Sequence, residues 1–149
     1  MATLVAISTA VSDYLSHVDR DWSETLVVSR RWAPEWDKKS DFTPTASARV
    51  TVIPAGLITE RDDVDDWSDS PAVGVLIQKR YEDDDDGDSI SNLIEEVLRH
   101  LRVINLTAVN CELTRIEIPQ WRDPDDLRES KIWTTGIVLH MLNLEFEVP

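Results

Sequence analysis

The amino-acid sequence predicts an α+β fold: an antiparallel or mixed β-sheet of about five strands with two main helices packed on one face. Two stretches repeat apolar residues at helical spacing, and five alternate them or run them continuously at strand spacing. Their order, helix, strand, strand, strand, helix, strand, strand, contains neither a repeated βαβ pattern nor an internal repeat. At 149 residues the chain is expected to form one domain, 1–149, with a core that needs neither disulfide nor metal. Its 42% apolar and 30% charged residues suit a globular protein rather than a disordered or fibrous one.

The first helix is predicted from Leu4, Ile7, Val11, Tyr14 or Leu15, and Val18, which share one stripe while Ser8, Ser12, Asp13 and Ser16 lie largely opposite. Thr25 to Arg31 alternates as a short strand, and the segment Arg30 to Trp36, with Pro34 expected to end the strand, leads into a polar loop. Ala46 to Ile53 is a clearer strand, with Ala48, Val50 and Val52 facing one way, and Pro54 and Gly56 are expected to stop it. Glu60 to Asp69 carries six acids around Arg61 and Trp67 and predicts an exposed loop. From Ala72 to Arg80 both alternating sets are largely apolar at first, as in a central strand covered on both faces. The acidic run Glu82 to Asp88 precedes the second helix, where Ile90, Leu93, Ile94, Val97, Leu98 and Leu101 fall on one face and Asp88 or Ser89 is the expected cap. Cys111 to Ile118 alternates until Pro119. Trp121 to Leu127 predicts a turn, with a helical turn from Pro124. The longest strand, Ile132 to Glu147, is expected to bend or bulge near Gly136.

The net charge of −14 opposes tight, sequence-independent binding to nucleic-acid backbones, although an acidic wall would let DNA slide past. The single cysteine, Cys111, has no partner for a disulfide and sits in no metal-binding pattern, so a reducing cytoplasm is the expected compartment. No apolar run is long enough for a membrane-spanning helix, and no export signal is expected. Aligning Gly87 with the glycine of a calcium-binding loop puts Leu93, an apolar helix residue, where the bidentate glutamate must stand. The acidic run therefore reads as a solvated turn and as negative charge at a helix start. His17, His100 and His140 are scattered, with no second ligand at helical spacing. The four glycines form neither a dinucleotide fingerprint nor a P-loop, and nothing selects a catalytic carboxylate pair among 29 acids. The residues thus point to no enzyme, no cofactor and no metal.

Six tryptophans remain. Trp22, Trp32, Trp36, Trp67 and Trp121 lie in or beside polar, proline- or acid-containing segments, whereas Trp133 lies in a strand. Aromatic side chains in loops either fold back over the core rim or are presented to a partner. The accompanying arginines tip the set towards protein contact, with Arg31, Trp32, Trp36, Arg61, Trp67, Trp121 and Arg122 as the candidate contact residues.

The order of elements, together with Ala46 to Pro54, Arg61 in a polar segment, Val73 to Lys79, Ser89 to Leu101, Ile118-Pro119, the Asp125-Asp126-Leu127 turn and Trp133 to Leu142, resembles the tail-terminator or tail-completion proteins of long-tailed phages. The tryptophan-rich Trp32 to Trp36 segment and the strongly acidic loops depart from that pattern. The resemblance implies an α+β virion protein, assembled in the host cytoplasm. It would form a homohexameric ring on the tail tube, stop tube growth and join the tube to head or neck. Its partners would be itself, the tube protein and neck or connector proteins, with DNA only passing through a lumen and no membrane. The departures keep a neck-connector role in view. A small metal-assisted hydrolase and an acidic adaptor of a basic protein are the rivals from other classes.

Overall fold

The computed structural model describes residues 4–17, 20–32, 48–61, 63–121 and 131–144. Along the chain run α1 (Leu4–Ser16), β1 (Leu26–Arg30), β2 (Ala48–Arg61), β3 (Trp67–Arg80), α2 (Asp84–Leu101), a short 3-10 turn (Thr107–Val109), β4 (Cys111–Gln120) and β5 (Ile132–Asn143). The strands form one five-stranded sheet in the order β1-β2-β3-β5-β4. β1 pairs with β2 in parallel, and the other three pairings are antiparallel. The sheet is therefore mixed, and the fold is α+β.

Both helices bury their apolar stripes on the same side of this sheet. Ile7, Val11 and Leu15 of α1 and Ile90, Leu93, Ile94, Val97 and Leu101 of α2 join one core with Val50, Val52, Val73, Val75, Ile77, Ile137 and Leu139. The two helices also meet directly, the Tyr14 hydroxyl donating to the His100 carbonyl at 2.7 Å. Ser8 and Ser12 are buried, contrary to the expectation that they face solvent. A serine is small enough to let the helix lie close to the sheet, and the Ser8 hydroxyl is satisfied by donating to the Val5 carbonyl at 3.1 Å. In β3, the core-facing Val73, Val75 and Ile77 are fully buried and Leu76 on the other face is half-buried, as befits the central strand.

α2 starts earlier than its apolar pattern indicates. Asp83 is the N-cap: its carboxylate accepts from the Asp86 amide at 3.2 Å, and the Asp86 carboxylate accepts from the Glu82 amide at 2.8 Å and the Asp83 amide at 3.3 Å. The acidic run thus supplies both halves of a capping box and the first helical turn, where carboxylates meet the positive end of the helix dipole. Asp88 and Ser89, the expected caps, lie inside the helix.

β2 and β3 are both longer than predicted. β2 continues through Pro54, and β3 begins at Trp67, so most of the predicted loop from Glu60 to Asp69 is a β-hairpin. The prolines explain how. β1 pairs only as far as Val52, and β5 only as far as Ala72. Pro54 and Pro71 stand just beyond those limits, where the strands are edges and a missing N–H is tolerated. Between Pro54 and Gly56 the register shifts by one residue, a bulge at Ala55. The bulges expected near Gly136 fall instead on the facing strand β4, after Leu113 and again after Glu117, and β4 runs past Pro119 to Gln120 as an edge strand. The predicted turn after Trp121 and the strand residues beyond Leu144 lie outside the described residues.

Candidate functional site

The feature that the core does not account for is the outer half of the β2–β3 hairpin. From Leu57 to Arg61, paired with Trp67 to Pro71, it continues as a two-stranded arm with no flanking strand among the described residues. Five strand residues reach about 16 Å at 3.3 Å each. The tip is closed by reciprocal backbone hydrogen bonds between Asp63 and Asp66 at 3.3 Å. Arg61 anchors it further: its guanidinium donates to the carbonyls of Asp63 at 3.1 Å and Val64 at 2.7 Å and lies 6.0 Å from the Trp67 ring centre. Thr59 donates across the strands to the Asp69 carboxylate at 3.0 Å. An ordered arm results, and it presents apolar surface to solvent. Val64 is 70% exposed, Trp67 is 63% exposed, and Leu57 and Ile58 are each more than half exposed.

Four of the predicted contact residues gather at this end of the sheet. Arg61 and Trp67 face each other across the arm. Arg31 and Trp32 follow the end of β1 at the arm's base, the Arg31 amide donating to the Val52 carbonyl at 2.9 Å and both side chains being exposed. Trp121 does not join them. It lies at the opposite end of the sheet, where its carbonyl accepts from Trp133 Nε1 at 3.1 Å and from the Thr135 hydroxyl at 2.6 Å. Trp36 and Arg122 lie outside the described residues. Trp22 is a rim residue, set edge-on against His100 with ring centres 5.0 Å apart. Sequence reasoning missed Leu57, Ile58 and Val64. The adjacent apolar pair just after Gly56 was the available signal, because apolar residues continuing past a bulge keep a strand going.

At the same end of the sheet, on the β4 side, an open cleft of about 480 Å³ lies between the end of α2 and the start of β4 and the end of β5. Ile104, Leu106, Leu113 and Leu144 supply apolar walls, and Arg102 and Glu112 bring opposite charges to the same lining. Nothing in the sequence announced it, since its walls come from three separate segments. Burial raises the Cys111 thiol above its ordinary pKa, which disfavours the nucleophilic thiolate.

Among the described residues no three His, Cys, Asp or Glu side chains are placed to share a metal ion. His140 Nε2 is 3.5 Å from Glu117 Oε2. The same carboxylate is hydrogen-bonded and ion-paired to Arg115, which holds it below the usual carboxylate range. His100 offers its carbonyl to Tyr14 and its ring to Trp22, a packing role. In comparisons with known proteins, no family model and no curated protein matched the chain. No helix among the described residues is long and apolar enough to cross a membrane.

Proposed function

We propose that the protein works by docking to other protein subunits rather than by catalysis. The specific role is that of a virion assembly protein, which caps the tail tube of a long-tailed phage as a ring and joins it to the head or neck. The observation that carries the docking part is the hairpin arm. The ribbon exposes Trp67, Val64, Leu57 and Ile58, none of which joins the core, and an exposed tryptophan beside an arginine is the usual kind of anchor at a protein interface. The tail-completion role rests on the resemblance in strand, helix and proline pattern. In that role DNA would pass through the ring, and a chain of charge −14 would not hold it.

Charge also sets the conditions of assembly. Six copies at −14 each carry −84 before counterions, so approach is opposed over the Debye length, about 10 Å at 0.1 M salt and about 3 Å at 1 M. Apolar contacts survive that change. Isolated subunits are expected to remain monomeric at low salt and to form rings at high salt or on the end of a tail tube. Size exclusion coupled to light scattering, run from low to high salt and repeated with purified tail tubes, tests this. A protein that stays monomeric throughout and never caps tubes is not a tail terminator.

A further inference from the structure

We infer that the hairpin arm docks on a positively charged surface of a different protein. An apolar recess of that partner receives Leu57, Val64 and Trp67, and lysines or arginines around the recess meet the acids of the arm's tip. The inference rests on the docking role proposed above and names the partner's chemistry.

The register of the arm defines its contact face. Directly opposed residues of an antiparallel pair project to the same side, so Leu57 with Pro71, Thr59 with Asp69, and Arg61 with Trp67 share one face. The hydrogen bond from Thr59 to Asp69 and the approach of the Arg61 guanidinium to the Trp67 ring agree with this. The other face presents Ile58 and Glu60 with Ser68 and Ser70. Leu57 and Trp67 therefore stand at the two ends of a single face, both more than half exposed, and Val64 is exposed at the tip beyond them.

These apolar side chains cannot be buried without their neighbours. Val64 lies between Asp63 and Asp65, and Trp67 follows Asp66, all of them exposed. From Glu60 to Asp69 six acids stand against one base, a net charge of −5 in ten residues of a chain that carries −14 in all. The base, Arg61, does not neutralise the tip, because its guanidinium is turned to the carbonyls of Asp63 and Val64. Neither Asp65 nor Asp66 has an ion-pair partner among the described residues. A carboxylate carried into an interface without a counter-charge is strongly destabilising. A surface that accepts Val64 and Trp67 must therefore supply cations around them.

The same charge argues against the other occupants. Nucleic acid and anionic lipid present negative phosphates. A second copy of this chain brings a further −14, so contacts between copies fall on surfaces other than the arm. A basic partner, by contrast, is drawn to the acidic tip before contact is made.

The test selects a yeast-displayed library of random peptides on the full-length protein and measures the affinities of the selected peptides by titration calorimetry. Peptides that bind the arm are identified by the variant Val64→Ser with Trp67→Ser, which should weaken them about tenfold or more, as removal of an anchor does. These peptides should carry lysine or arginine beside aromatic or aliphatic residues, and they should bind less tightly as salt rises. Asp65→Asn with Asp66→Asn should weaken them about threefold or more. Asp84→Asn with Asp85→Asn removes the same two charges from the exposed first turn of α2 and should leave their affinity within about twofold. All three variants change exposed side chains and should melt as the unmodified protein does. Arm-dependent peptides no more basic than the unselected library overturn the inference and leave the docking role standing, as do equal losses from the two asparagine pairs. A selection that yields no arm-dependent peptide overturns the inference together with the docking role of the arm.

Discussion

Asp83 shows how one residue moves an element boundary. With Asp83 and Asp86 accepting from each other's backbone amides, the first turn of α2 is formed from residues whose composition reads as solvated loop. Replacing an aspartate N-cap by alanine costs about 1 kcal/mol, which in a domain of this size lowers the melting temperature by roughly 2–4 °C. Asp83→Ala should show that loss. Asp84→Asn should lose much less, because Asp84 lies in the first turn without a capping bond and its carboxylate repels neighbouring acids. Calorimetry of the two variants compares them, and equal melting temperatures would mean that the cap is not formed. The apolar periodicity made the body of α2 legible in the sequence, but its start was hidden because aspartate at the third helical position closes a capping box more often closed by glutamate or glutamine.

The same difference between local and distant causes separates the strands that were read well from those that were not. β5 was recognisable because Trp133, Ile137, Leu139 and Met141 alternate towards the core. The arm was not, because Pro54 and the acids from Glu60 onward read as terminators. They do end the sheet, but each strand continues, with the other as its one neighbour among the described residues. Arg61, Trp67, Arg31 and Trp32 stood out in the sequence as candidates from their types and setting, and the structure brings all four to one end of the sheet. The cleft was not, since Arg102, Leu113 and Leu144 are brought together only by the pairing of β4 with β5 and the end of α2. The arm's independence of the core is itself testable. Replacing residues 59–69 by Asn-Gly joins Ile58 to Ser70, an opposed pair, through a two-residue hairpin turn. The shortened protein should keep its melting temperature within a few degrees while losing partner binding. A collapse of stability would show that the arm supports the core instead.

For the whole molecule, one core binds two helices to one face of the sheet, yet that support is uneven across the strands. β3 is buried between two long partners and lies under both helices. β1 has five residues, a single partner strand among the described residues, and a parallel pairing, which is slightly weaker per residue than an antiparallel one. None of its residues is fully buried. A strand held so lightly opens without the rest. Its amide protons should exchange with deuterated water through local fluctuations, well before those of β3 and β5, which wait for global unfolding. Mass-resolved exchange on the peptide covering Leu26–Arg30 distinguishes this from concerted opening, in which all three strands would share one protection factor. The edge beside Arg31 and Trp32 would then be the part of the sheet with the lowest free energy of opening.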